Sequence, residues 1–135
     1  MPDIELRPGL SGEARATSTH ETSAAALGSG DVPVYATPAM IALMEQAAVN
    51  ALAGALPLEK TSVGVQVQVR HLAGTPIGMA VRAEARLTSV EGRRLTFRVA
   101  AFDAREQIGE GLHERAVVDR DKFLQRTAAK GNEGA

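Results

Sequence analysis

Three residues of types that hydrolytic chemistry combines stand within one stretch of the chain, at Thr37, Glu45 and His71. They supply a hydroxyl, a carboxylate and an imidazole, which serve as nucleophiles, general bases and general acids in hydrolytic sites. Each stands where an ordinary core position would favour an apolar side chain. We therefore treat these three residues as the candidate catalytic residues.

One long apolar helix is predicted to carry the first two. Thr37-Pro38 fits an N-cap followed by the first helical residue, because a hydroxyl can accept a backbone N–H bond and proline has no N–H to lose. Gly54 weakens the end of the helix and Pro57 stops it. At about 100° per residue, Glu45 falls at the margin of the apolar face. That face follows helical spacing through Met40, Ile41, Met44, Ala47, Ala48, Ala51, Leu52 and Ala55.

An alternating strand is predicted to end at His71. His71 has the parity of the valines before it, so we expect its imidazole on the face that meets the helix. A helix and a strand that pack face to face can bring Glu45 and His71 together. Gly64 in the same strand would let a ligand carbonyl approach backbone N–H groups, the donors that an oxyanion needs. The residues predicted to share one face are Val63, Val65, Val67 and Val69.

Each candidate also has an ordinary structural interpretation. Helix capping alone explains Thr37, a boundary position with its head in water explains Glu45, and a strand end explains His71. His113 follows two glycines of the same parity, at 109 and 111, which we interpret as close packing against another backbone. The residues alone leave these alternatives open.

The rest of the pattern predicts an antiparallel sheet. A weak strand signal covers 14–24 and a glycine-rich loop follows at 25–32. Short turns join the later strands, which suits a sheet whose apolar face wraps the helix. We expect a single α+β domain over 1–135, with flexible ends at 1–12 and 124–135. The later alternating segments cover 79–87, 95–101 and 108–118.

Composition excludes several classes of function. Fifteen basic and sixteen acidic residues give a net charge of -1, and aromatic residues make up 3%, so nucleic acid is not an expected partner. The absence of cysteine excludes disulfides and thiolate chemistry, and we expect no metal or cofactor. No secretory signal and no stretch of roughly 20 apolar residues is present, so we expect a cytoplasmic protein without a membrane partner.

A set of motifs in order is more specific than any single one. Over residues 33–123 the chain resembles the hotdog-fold thioesterases, and among them the group typified by fluoroacetyl-CoA thioesterase. The motifs are Tyr35-Ala-Thr-Pro-Ala-Met, Leu43-Met-Glu-Gln-Ala-Ala, Gly64, Val69-Arg-His-Leu-Ala-Gly-Thr-Pro-Ile-Gly-Met, Ser89-Val-Glu-Gly-Arg-Arg-Leu and Ile108-Gly-Glu-Gly-Leu-His-Glu-Arg-Ala-Val.

The resemblance implies a hotdog fold, an antiparallel five-stranded sheet wrapped around one long helix, in a homodimer with active sites at its interface. It implies hydrolysis of an acyl-CoA thioester to free acid and coenzyme A, which is part of the substrate and not a cofactor. Thr37, Glu45 and His71 would be catalytic, and Gly64 would bind substrate on the oxyanion side. Glu45 would act as nucleophile or as general base for water. His71 would polarise the thioester or protonate it, and Thr37 would position substrate or Glu45.

One position departs from the resemblance. Where the fluoroacetyl enzyme carries a phenylalanine lid, this chain has Asp31. We therefore expect a small acyl group other than fluoroacetyl, in a pocket built mainly from Val, Ala and Met. The alternative is a non-catalytic module that binds acyl-CoA or another small ligand. A hotdog dehydratase would need a carboxylate and histidine poised over carbon, and it would have to use the same pair, Glu45 and His71.

Overall fold

A five-stranded antiparallel sheet packs on one long helix, and a second helix of 14 residues follows the last strand. The computed structural model describes residues 6–133, and its strand order is β1-β3-β4-β5-β2. The predicted α+β architecture is confirmed. The elements in chain order are β1 (Ser11–Thr17), a 3-10 turn (His20–Thr22), α1 (Ala24–Leu27), α2 (Thr37–Ala51), β2 (Lys60–His71), β3 (Ala80–Glu91), β4 (Arg94–Asp103), β5 (Gln107–Asp119) and α3 (Arg120–Glu133).

Helix α2 lies on the inner face of the sheet and packs most extensively on β1 and β3. A side chain at Gly12 of β1 would collide with the backbone of Ala47 and Ala51, so strand and helix backbones touch directly. The small residues predicted along the helix allow this approach. The side chains that α2 buries are Met40, Met44, Ala47, Ala48 and Ala51.

The first strand is earlier and shorter than the predicted 14–24. The chain leaves the sheet after Thr17, and the hydroxyls of Thr22 and Ser23 then donate to nearby backbone carbonyls. Ser23 Oγ donates to the carbonyl of His20 and accepts from the N–H of Ala26. It thereby caps α1, which begins at Ala24 and extends into the predicted loop. Serine and threonine compete with regular pairing in this way, which explains the error.

Both predicted end segments contain regular structure. At the N-terminal end Leu6 is buried and β1 begins at Ser11, and at the other end α3 continues to Glu133. The flexibility expected at 1–12 and 124–135 stays a prediction, and residues 1–5 and 134–135 lie outside the described part. Across 6–133, no helix is long and apolar enough to cross a membrane.

Strand β2 contains a β-bulge at Val65. Gly64 pairs with Arg115 and Gln66 pairs with Glu114, which leaves Val65 without a partner on β5. One extra residue reverses the alternation of side chains between the two faces.

The bulge changes which β2 residues face the helix. The prediction that four valines share one face is wrong, because those at 63 and 67 lie on either side of the bulge. Gly64 now lies on the inner face, and His71 keeps the inward orientation predicted for it. The alternation in the sequence could not reveal this, because a bulge is set by pairing with another strand.

The same strand forms one edge of the sheet. Among the strands within residues 6–133, its only neighbour is β5. All residues from 64 to 68 are exposed, and Val65 retains 50% of its accessible surface. A long edge strand with exposed apolar side chains is a ready surface for pairing with another chain.

Candidate functional site

The start of α2 meets the end of β2 through two of the candidate residues. Thr37 Oγ1 and His71 Nδ1 lie 2.7 Å apart. The prediction that Thr37 caps the helix is wrong, because the N-cap residue is Ala36 and no side chain caps this end. Thr37 already lies within the helix, so its hydroxyl is available to hold the imidazole.

The other ring nitrogen of His71, Nε2, is buried and has no hydrogen-bond partner among residues 6–133. Burial lowers the pKa of His71, and a backbone contact with Ala73 offsets part of this effect. The neutral imidazole is therefore favoured at neutral pH. Buried polar atoms almost always have a partner, so this Nε2 is a candidate donor to a bound ligand.

Glu45 lies about 12 Å further along α2 than Thr37. Its Oε2 is 3.6 Å from Nη1 of Arg115 and 3.8 Å from Nε2 of His113, and 39% of its side chain is exposed. A side chain at Gly64 would collide with the same oxygen. The absence of a side chain at Gly64 thus makes room for the carboxylate.

Within one chain the four predicted site residues form two separate groups. Thr37 contacts His71, whereas Glu45 contacts the Gly64 position, and no polar contact joins Glu45 to His71. The first group lies at the N-terminal end of α2 and the second lies two turns later. The catalytic and binding roles of all four residues stay predictions.

Two buried polar residues of β5 belong to the Glu45 group and were not predicted as site residues. His113 bonds to the backbone of Gln66 and to Arg115, and Arg115 bonds to Ser62. Burial lowers the pKa of Arg115 and Glu45 opposes this, but a guanidinium stays charged in proteins. The sequence held one signal: residues 113 and 115 share the parity of the inward face of β5.

The interpretation of close packing against another backbone is confirmed for Gly111, whereas Gly109 packs against methionine side chains. A side chain at Gly109 would collide with Met40 and Met44, and one at Gly111 would collide with the backbone of Val69. For His113 the interpretation is incomplete. Its ring stacks near Phe97 at 6.3 Å between centroids, but its nitrogens take part in the polar contacts described above.

A cavity on the sheet does not contain the candidate residues. It has a volume of about 1030 Å³ and lies across the outer face of the sheet, where Arg86 and Arg98 are exposed. Thr37, Glu45 and His71 instead border the open β2 side of the inner face. Among residues 6–133, no group of three or more His, Asp or Glu side chains is arranged to hold a metal ion.

Comparison with known proteins identifies the family. The family model for fluoroacetyl-CoA-specific thioesterases matches residues 18–121. The chain belongs to this family. A relative, the fluoroacetyl-CoA thioesterase of Streptantibioticus cattleyicolor, is 46% identical over 97 residues, which cover 72% of this chain and 70% of that protein.

Solved structures agree with this membership. The structure of the fluoroacetyl-CoA thioesterase FlK matches with a TM-score of 0.86 at 36% identity, covering 93% of this chain and 98% of the other. A phenylalanine-to-alanine variant of FlK in complex with fluoroacetate and CoA matches with a TM-score of 0.82 at 38% identity, covering 87% and 99%. The hotdog fold and the thioesterase class predicted from the sequence are confirmed.

Proposed function

We propose that this protein hydrolyses a small acyl-CoA thioester to a free acid and coenzyme A. The observation that carries the proposal is Nε2 of His71, a buried nitrogen without a partner on a ring held by Thr37. Such a nitrogen can donate to a thioester carbonyl or to a departing thiolate. Family membership supports a thioester as substrate, and the FlK variant that binds CoA supports CoA as its carrier.

The proposed reaction breaks the bond between the carbonyl carbon and sulfur and forms a bond from that carbon to oxygen. The Glu45 carboxylate either takes a proton from the attacking water, and that proton ends on the coenzyme A thiolate, or attacks the carbonyl itself. Direct attack forms an acyl anhydride with Glu45, which water then hydrolyses to the free acid and the regenerated carboxylate. The neutral ring of His71 polarises the carbonyl by donating from Nε2, or, once it has accepted a proton, His71 passes that proton to the thiolate of coenzyme A, while Thr37 keeps the ring in place. Gly64 leaves the backbone of β2 open to the carbonyl oxygen.

A second copy of the chain completes the site in this proposal. Two free β2 edges that pair about a two-fold axis run in opposite directions, so the Gly64 half of one strand lies opposite the His71 half of the other. Glu45 of one protomer then approaches Thr37 and His71 of its partner. The exposed β2 edge supports this homodimer with two interface sites.

The acyl group is proposed to be small and different from fluoroacetyl. Asp31 is exposed in the loop before α2, at the position of the family's phenylalanine lid. A charged, solvated side chain there cannot provide the same apolar cover. A cytoplasmic location, without nucleic-acid or membrane partners, stays a prediction from composition.

Release of free thiol from a panel of short acyl-CoA thioesters tests the proposal. We expect turnover by the wild type and a loss of about 10²- to 10⁴-fold in kcat for Glu45→Gln and for His71→Ala, the usual effect of removing a general acid or base. Calorimetry with the same thioesters measures binding separately. A wild type that binds them without releasing thiol would establish the alternative, a non-catalytic acyl-CoA-binding module.

A further inference from the structure

A buried polar network stands behind Glu45. It consists of His113 and Arg115 on β5 and Ser62 on β2. His113 is 1% exposed and Arg115 is 6% exposed. Burying polar groups costs free energy unless they are hydrogen-bonded. The hydrogen-bond partners of His113 and Arg115 therefore indicate the protonation state and the orientation of these two side chains.

The hydrogen bonds determine the protonation of His113. Its Nδ1 lies 2.9 Å from the backbone carbonyl oxygen of Gln66, which only accepts, so Nδ1 carries a proton. Its Nε2 lies 3.1 Å from Nη1 of Arg115, which only donates, so Nε2 accepts and the ring is neutral. Burial has the largest effect on the pKa of His113 and lowers it, while the Gln66 carbonyl raises it in part. The charge of Arg115 lowers this pKa further, against a smaller opposite effect of Glu45.

Hydrogen bonds to Ser62 and His113 fix the orientation of the Arg115 guanidinium. Its Nε donates to Ser62 Oγ at 2.8 Å and its Nη2 donates to the Ser62 carbonyl at 3.1 Å. The third nitrogen, Nη1, is held by His113 and points toward Oε2 of Glu45 at 3.6 Å. At this distance the carboxylate is attracted by the charge but is not tied by a direct hydrogen bond.

We propose that His113 and Ser62 are positioning residues for the thioesterase reaction: by fixing Arg115 they set where the Glu45 carboxylate stands relative to the bound thioester. The inference rests on the proposed function. Neither residue contacts substrate in this account, because both act through Arg115. Their loss should therefore lower kcat and leave KM nearly unchanged, the pattern of a group that matters in the transition state.

Two substitutions at His113 separate this role from simple packing. His113→Gln keeps an acceptor that can reach Arg115, whereas His113→Leu fills a similar volume without any polar atom. We expect kcat to fall about 10- to 100-fold in the leucine variant, with KM within about 3-fold of wild type. The glutamine variant should retain kcat within about 5-fold. Thermal unfolding of both variants shows whether each is folded.

Ser62→Ala covers the case in which the leucine variant does not fold. It removes only the side-chain bond to Nε of Arg115 and should lower kcat about 3- to 10-fold at unchanged KM. The inference is overturned if folded His113→Leu keeps wild-type kcat, if both His113 variants lose kcat equally, or if Ser62→Ala has no effect. A wild type without thioesterase activity overturns the proposed function first, and this inference with it.

Discussion

The hydroxyl of Thr37 is hydrogen-bonded to the imidazole of His71 and does not cap the helix. From sequence alone capping was a complete explanation for this residue, because Thr-Pro is a common helix start. The structure begins the helix at Thr37 itself and leaves the hydroxyl 2.7 Å from His71 Nδ1. The place of Thr37 at the start of a helix was therefore predictable from the sequence. Its hydrogen-bond partner, 34 positions away, was not.

Thr37→Val tests whether the hydroxyl holds the His71 ring or caps the helix, because valine keeps the branched shape and loses the hydroxyl. We expect kcat to fall about 10- to 100-fold because the ring loses its support. The free energy of unfolding should change by less than about 1 kcal/mol, the value of one exposed hydrogen bond.

Thr37→Ser, which keeps the hydroxyl, is the matched control and should stay within about 5-fold of wild-type kcat. Urea unfolding and steady-state kinetics measure both quantities. Normal kcat in the valine variant, together with a loss of stability of about 1 to 2 kcal/mol, would instead support the capping interpretation.

The elements position the site through close backbone contacts. Helix α2 can approach β1 because Gly12 has no side chain and the facing helix residues are alanines. At the opposite edge of the sheet, the bulge at Val65 places Gly64 on the inner face, where the missing side chain leaves room for Glu45. The small residues were visible in the sequence, whereas the bulge depends on the register between β2 and β5.

Gly12→Ala tests the contact between β1 and α2. The added methyl group would overlap the backbone of α2, so we expect the free energy of unfolding to fall by about 1 to 3 kcal/mol. Gly74→Ala is the matched control because nothing lies within 4 Å of its added methyl and its φ is not positive. Chemical denaturation of both variants decides the matter, and equal stabilities would show that α2 and β1 are further apart than described.

The whole molecule leaves its candidate site open on one side. Thr37 with His71 and Glu45 with Gly64 border the same free strand edge but do not meet within one chain. A dimer through β2 relates the two groups by symmetry, and each site would then draw residues from both protomers.

Heterodimers test this arrangement. A dimer of one Glu45→Gln chain and one His71→Ala chain, isolated with two different tags, would carry both defects in one site and none in the other. We expect about half of the wild-type kcat per dimer if the two residues come from different protomers. The two homodimeric variants are the controls. A heterodimer as inactive as its parents would place both residues of each site in the same protomer.

The sequence by itself determined the central helix, the four later strands of the sheet and the candidate residues Thr37, Glu45 and His71. Helical spacing, alternation and turn residues are local signals, so they can be read without knowing which strands pair. Only the tertiary structure decided the bulge at Val65, the separation of Glu45 from His71 within one chain and the network through His113. These depend on register and contacts between residues far apart in the chain, which local periodicity does not encode.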